Sequence, residues 1–336
     1  MLVSALLEAR LRYFVVLLFL APILVPLLAQ TDLGRAEALL RNGELAAAEA
    51  LLVQIREGDP NYLEARRRLG TIFYSTGRPV EAEKCFQDYI RRRETAEVYT
   101  LLAGAQFNQK KLDQAYESAK QAVRLDPKYA KAYTAIGMIY TELKDWPDAD
   151  AAFRESLRLD DKDASTWFLL GRSYFLRNEF GKAREAFETS LKLNSQSVRA
   201  YENLGLTLDL LRKPAAAERA LAQGVNLNRY SARPETRIHI AYGAFLFRQS
   251  RFEESQDQLA EATRIDPENA EARYELARVL TRRKRWKEAA REAEEALRVG
   301  GPDYRVHFLL ARIYTALGAT DQAASHSAQA ARLAEK

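Results

Sequence analysis

Between Ala164 and Ser190 the apolar and small residues fall on two helical faces separated by a short polar turn. Trp167, Leu170, Gly171 and Tyr174 stand at i, i+3, i+4 and i+7, the spacing that puts four side chains on one side of an α-helix. Asn178 falls in the turn, and Ala183, Phe187 and Ser190 then give one face of a second helix. The arrangement repeats. YTAIGMIYTELKDWPDADAAFRESLRLDD from Tyr133 and WFLLGRSYFLRNEFGKAREAFETSLKLNS from Trp167 match in spacing throughout, 34 residues apart. Extending the frame gives units beginning near 29, 63, 96, 130, 164, 198, 236, 270 and 304, nine in all, each predicted to be an antiparallel helix pair. Several units close on Asp-Pro (Asp59-Pro60, Asp126-Pro127, Asp266-Pro267), where proline stops one helix and keeps the residue before it out of helical angles.

Two positions in the frame are small in every unit. The eighth is Ala36, Gly70, Ala103, Gly137, Gly171, Gly205, Gly243, Ala277 or Ala311, and the twentieth is Ala48, Ala82, Ala115, Ala149, Ala183, Ala217, Ser255, Ala289 or Ala323. Helices cross closely only where no bulky side chain stands between them, so both positions are expected at the crossing of each pair. Phe73, Tyr140, Phe153, Tyr174, Phe187 and Tyr314 are expected to fill the space around it. The combination of an aromatic, Leu-Gly or Leu-Ala, Tyr, then Ala, Phe and Ala with a terminal Pro resembles the tetratricopeptide repeat family. It is nearly complete in the units at 130 and 164, and the first unit departs from it with Arg35 at an apolar position. The resemblance implies an all-α fold: a right-handed superhelical solenoid of about nine helix-pair repeats over residues 30–336, with a concave groove lined by the first helix of each pair.

The frame contains one fault. Four extra residues fall between the units at 198 and 236, within NRYSARPET. A longer loop is the expected reading, since loops tolerate added length at little entropic cost; the alternative is a hinge at 228–236 dividing the array into six and three repeats.

From Tyr13 to Ala29 the chain reads YFVVLLFLAPILVPLLA, uncharged, with Arg10 and Arg12 on its N-terminal side and Asp32 as the next charge. A basic flank, an apolar core and an alanine before a polar stretch predict that residues 1–29 are a signal peptide or an uncleaved membrane anchor. Both place the remainder outside the cytoplasm, in the periplasm, secreted, or anchored at the membrane. The rest of the composition adds little: 47% apolar and 29% charged residues suit a folded chain, and 15 Gly and 10 Pro argue against an all-β one. The net charge of +5, part of it in the leader, is no nucleic-acid footprint.

Catalytic chemistry finds no foothold in the pattern. Cys85 is the only cysteine, which excludes an intramolecular disulfide, and it has no evident base beside it. His239, His307 and His326 lie in no metal-ligand spacing, and no nucleophile elbow or phosphate-binding glycine loop is present. All helical segments are used by repeats. The chain is therefore expected to be no enzyme and to need no cofactor or metal.

The resemblance implies that positions 2, 5, 9, 12 and 13 of each unit face the groove. Phe168, Arg172, Phe175, Phe247, Arg248, Tyr274, Arg278, Arg282, Phe308 and Arg312 are the candidate partner-binding residues, because aromatic and arginine side chains together make good anchors. The first half of the array offers Glu64, Glu97, Thr134 and Glu142 instead. A protein or peptide with an acidic segment or a free carboxylate is the expected partner; the alternative is that these arginines are solvated or paired with Glu271 and Glu275. The run TRRKRWKEAA from Thr281 reads as a solvated turn or as a contact for anionic lipid. The other function class is a self-associating scaffold, packing through the alanine-rich last helix around Ala323–Leu333.

Overall fold

The computed structural model describes residues 31–335. Among them are eighteen α-helices and no strand, in two compact units that meet in sequence at Asp160 and Asp161. The first unit holds α1 (Asp32–Arg41), α2 (Leu45–Gln54), α3 (Tyr62–Ser75), α4 (Pro79–Ile90), α5 (Ala96–Asn108), α6 (Leu112–Leu125), α7 (Ala130–Leu143) and α8 (Trp146–Leu159). The second holds α9 (Ala164–Leu176), α10 (Phe180–Leu193), α11 (Val198–Leu210), α12 (Pro214–Arg229), α13 (Thr236–Arg248), α14 (Phe252–Ile265), α15 (Ala270–Arg282), α16 (Trp286–Gly300), α17 (Tyr304–Leu317) and α18 (Thr320–Ala334). Within each unit odd and even helices pair as hairpins, and each hairpin packs on the next. From the second hairpin on, the first helices begin within one residue of the frame positions, while α1 begins at Asp32 and residues 29 and 30 lie outside the described residues. Side chains of Thr95, Asp163, Ser197, Asn269 and Asp303 accept from backbone N–H groups of the first turn and fix those starts. The apolar segment 13–29 lies outside the described residues, and no described helix is long and apolar enough to cross a membrane.

The small positions are where the helices cross. A Cβ added at Gly171 would lie 2.7 Å from Cδ1 and Cε1 of Phe187, and one at Gly137 would lie 2.7 Å from Cε1 of Phe153. Gly205 and Gly243 stand in the same relation to Leu221 and Leu259, at 2.5 and 2.6 Å. The partner is always sixteen residues on, at position 24 of the unit. Where the eighth residue is glycine, position 24 is Phe or Leu; where it is Ala103 or Ala277, position 24 is Ala119 or Ala293. A hairpin interior has a fixed volume, so a ring on one helix demands the loss of a methyl on the other. From Leu52 to Ala293, position 24 is fully buried in eight hairpins. Hydroxyls then tie the far ends of two hairpins: Ser156 Oγ donates to the Ala130 carbonyl at 3.0 Å and Ser190 Oγ to the Ala164 carbonyl at 2.8 Å.

Each hairpin turns through one left-handed residue at position 15. Gly43, Gly77 and Gly318 take it without steric cost, but Lys110, Lys144, Asn178, Arg212, Ser250 and Lys284 hold it with φ near 60°. The four extra residues near 228–236 are taken up partly by helix, since α12 has 16 residues against 14 in α10. The rest form a loop pinned at its base. Asn228, fully buried, donates its side-chain amide to the Glu235 carbonyl at 2.9 Å and accepts the Glu235 N–H at 2.7 Å. This segment lies inside the second unit, away from the division at Asp160.

Candidate functional site

Six of the ten candidate residues gather in two groups on the first helices α9, α13 and α15 of the second unit. In the larger group, the guanidinium of Arg278 lies 4.7 Å from the ring centre of Phe247 and 5.7 Å from that of Tyr274. Arg282 stands over the other part of Phe247 at 6.0 Å, and Arg305 covers Tyr274 at 4.9 Å. Phe247 is held in turn edge-to-face against Phe252, centroids 5.5 Å apart. Cations and rings thus alternate along three successive first helices, α13, α15 and α17. Burial pushes the Tyr274 hydroxyl above its ordinary pKa, so the ring presents a neutral face.

Carboxylates already satisfy most of these arginines. Arg278 donates to both oxygens of Glu275 at 2.6 and 2.7 Å, and Arg305 donates to Asp303 at 2.8 Å and Glu271 at 3.1 Å. The pairing with Glu271 and Glu275 weighed from sequence is thus realised for two arginines. Arg248 is bound to Asp209 at 2.6 Å. Among the described residues Arg282 and Arg312 have no carboxylate partner. Ion pairing fixes the first set flat against the rings; Arg282 is exposed and keeps its charge available.

Phe175 and Arg248 belong to the second group. They line a groove of about 530 Å³ with Leu206, Asp209, Leu210 and Arg212, and Phe175 is braced edge-to-face by Phe180 at 5.6 Å. Leu176 and Leu210 are about half exposed beside it, so this end of the face is apolar. Phe168 packs on Phe187 at 5.8 Å and carries the Arg199 guanidinium at 5.5 Å, while Arg172 is exposed on α9. Phe308 and Arg312 are placed differently from the others: they line a crevice between α17 and α18 together with residues of the last helix.

Arg199 and Arg305 were the missing members of the ring–cation pairs. Each stands 31 residues after its ring, Phe168 or Tyr274, because position 5 of one first helix meets position 2 of the next. In the first unit the same meeting is an ion pair, Arg67 with Glu97 at 2.6 Å. The acidic candidates there are neutralised: Arg67 and Arg68 bind Glu64, and Lys110 binds Glu142 at 2.6 Å. In the basic run, Arg283 reaches Glu253 at 3.1 Å and Arg285 reaches Glu288 at 2.5 Å, leaving Arg282, Lys284 and Lys287 exposed.

Burial pushes the Cys85 thiol up to about 11, which keeps it protonated and unreactive. No group of three or more His, Cys, Asp or Glu residues among those described is placed to hold a metal ion.

Family models confirm what the hairpins show. Tetratricopeptide-repeat models match residues 39–104, 81–130, 100–164, 164–197, 246–302 and 285–336. The chain is a tetratricopeptide repeat protein. No curated protein sequence matches it. Among solved structures it resembles yeast Tom70, with a TM-score of 0.63 at 16% identity over 92% of this chain and 68% of that one. The Cut9–Hcn1 structure of the APC/C gives 0.64 at 16% identity over 85% of this chain, which spans only 56% of that chain. The pilF protein of Pseudomonas aeruginosa gives 0.56 at 18% identity over 65% and 97%. These likenesses establish the repeat fold.

Proposed function

We propose that this tetratricopeptide repeat protein is a non-catalytic adaptor that holds a partner polypeptide along the first-helix face of its second unit. The observation that carries this reading is the ladder of Phe247, Arg278, Tyr274 and Arg305, ordered before any partner arrives, with the charge of Arg282 left over beside it. Side chains already immobilised by rings and carboxylates lose little entropy on binding, so the contact energy of flat aromatic and guanidinium surfaces goes into affinity. The apolar end around Phe175 and Leu210 and the cationic end around Arg282 fit an extended segment with apolar residues followed by Asp, Glu or a terminal carboxylate. The basic leader and apolar segment 13–29 support export and a role in an envelope or secretion-related assembly; fusion of alkaline phosphatase after the leader tests that part, an inactive fusion in intact cells counting against it.

Binding is tested by selecting peptides from a random displayed library on the purified chain and titrating the winners. Enrichment of acidic peptides, with affinity lost about tenfold in Arg282→Glu and in Phe247→Ala, is the expected result. Selected peptides indifferent to both substitutions would contradict it. Contact of Arg282, Lys284 and Lys287 with anionic lipid is a separate arm, read by co-sedimentation with phosphatidylglycerol vesicles. A self-associating scaffold is the other reading; a monomer by light scattering at micromolar concentration counts against it.

A further inference from the structure

We propose that the crevice between α17 and α18 docks an amphipathic α-helix of a partner protein, one that carries a basic residue, a small or β-branched residue directly after it, and an acidic residue four places after the basic one. This site borders the ladder at Tyr274 and Arg305, but the residues that define it, Phe308 and Arg312, are no part of the ladder, so substitutions there test it independently.

Two adjoining cavities of about 640 and 500 Å³ share Phe308 and Ser327 and run along the crevice from Thr315 to Ala334. Ala311, Ala323 and Ser327 line it at positions 8, 20 and 24 of the last hairpin. In the preceding hairpin those positions are Ala277, Ala289 and Ala293, all fully buried, and α17 packs on both helices of that hairpin. The last crevice therefore has the floor of a slot that receives a first helix elsewhere in the chain. Phe308 stands at its edge 61% exposed, far from the burial usual for a large aromatic side chain.

The internal junctions show what such a slot accepts. Position 5 of one first helix meets a cation from position 2 of the next, as in Arg199 over Phe168 and Arg305 over Tyr274. Position 3 of the incoming helix is small or β-branched and buried: Ala65, Ala200, Ala272 and Val306. Position 9 of one helix pairs with position 6 of the next where Arg68 donates to Glu37 at 3.0 Å. In the last hairpin position 5 is Phe308 and position 9 is Arg312, which has no carboxylate partner among the described residues. An incoming helix is thus asked for a cation over Phe308, a small residue beside it, and a carboxylate on Arg312.

A second copy of this chain does not meet that demand. Its first helix, α1, has Gly34 where the carboxylate belongs. Two last hairpins face to face would bring the unpaired charge of Arg312 against its own counterpart, with no carboxylate lining either cavity to receive it.

The test uses the full chain and a stapled helical peptide with the sequence of residues 197–211, which already fills such a slot within the second unit, carrying Asn203→Glu to place the carboxylate. A second peptide carries Asn203→Lys. Fluorescence anisotropy should show the Glu peptide binding the native chain, with affinity falling about tenfold in Phe308→Ala and at least severalfold in Arg312→Glu, while the Lys peptide reverses its preference and favours Arg312→Glu. Both altered residues are exposed, so unchanged circular dichroism is expected, and Ala324→Arg offers an independent block of the crevice. Absence of binding at affinities tighter than about 1 mM, or binding indifferent to Phe308→Ala and to the charge exchange, would overturn the site. A dimer in analytical ultracentrifugation that dissociates on Phe308→Ala would overturn the choice of occupant.

Discussion

Replacing Gly171 by alanine while shortening Phe187 isolates the contact on which each hairpin depends. The new methyl carbon would sit 2.7 Å from two ring carbons of Phe187, about 1 Å inside the distance at which carbon atoms attract. Phe187 is fully buried and packed against Phe168, so the ring cannot swing away without disturbing its neighbours. Over-packing of this kind costs about 1–3 kcal/mol, while alanine gains about 1 kcal/mol over glycine in a helix interior, leaving Gly171→Ala a net loss of roughly 0–2 kcal/mol. Phe187→Ala alone should cost about 3–5 kcal/mol through lost burial and the cavity left behind. In the double variant the methyl enters that cavity, so the loss falls short of the sum by about 1–3 kcal/mol, and the propensity gain cancels from the cycle because it is present in both backgrounds. Urea unfolding read by Trp167, with Trp146→Phe and Trp286→Phe as background, reports on this hairpin; a nearest-neighbour repeat model is the appropriate fit. Coupling within about 0.5 kcal/mol of zero would refute the idea that glycine and phenylalanine share one volume.

Lys144→Gly should stabilise the first unit by about 1 kcal/mol, because the left-handed turn costs a side-chain-bearing residue roughly that much; an unchanged denaturation midpoint would contradict it. Asn228→Ala removes both hydrogen bonds to Glu235 and should cost about 1–3 kcal/mol, with trypsin cutting faster after Arg229 at the base of the loop; an unaltered cleavage rate would contradict it. His307 and His326 share a 2.9 Å hydrogen bond between their Nδ1 atoms, with Tyr314 stacked on His326 and Glu294 and Asp303 as the nearby acids. Burial lowers both imidazoles below their ordinary 6.5, and the charge of His326 lowers His307 further. The unfolded chain then takes up protons before the folded one does. The stability present above 6.5 is therefore lost as pH falls from there toward the lowered native values. Amide exchange of α18, corrected for intrinsic rates, should quicken as pH falls below about 6.5, and His326→Phe should lessen that sensitivity.

The repeats were legible because they are built from local spacing. Gly171 and Tyr174 share a face by helical period alone, and the proline and capping residues mark the ends, so all nine hairpins were expected where they occur. The complementarity of position 8 with position 24 was also in the letters, as Gly171 with Phe187 and Ala277 with Ala293, but its meaning needed the crossing geometry. The left-handed residue at position 15 was hidden because lysine, arginine, serine and asparagine occupy it as well as glycine. Candidate residues were harder, for a physical reason. Position along a helix says which face a side chain takes, yet whether its charge is spent depends on a residue about thirty places away. For Arg278 and Arg248 the sequence left open whether they are free or paired; both are paired, whereas Arg282 has no carboxylate partner among the described residues. Phe308 and Arg312 were assigned to the same face as Tyr274, yet in the last hairpin those positions also border α18, where no following first helix covers them among the described residues.

The most direct measurement is hydrogen exchange by mass spectrometry on the full chain, with and without a saturating peptide selected on it. Slowed exchange concentrated in α11, α13 and α15, and abolished by Phe247→Ala, is the outcome expected of a partner held on the first-helix face. Protection falling instead on the second helices α12, α14 and α16, or surviving Phe247→Ala undiminished, would contradict it.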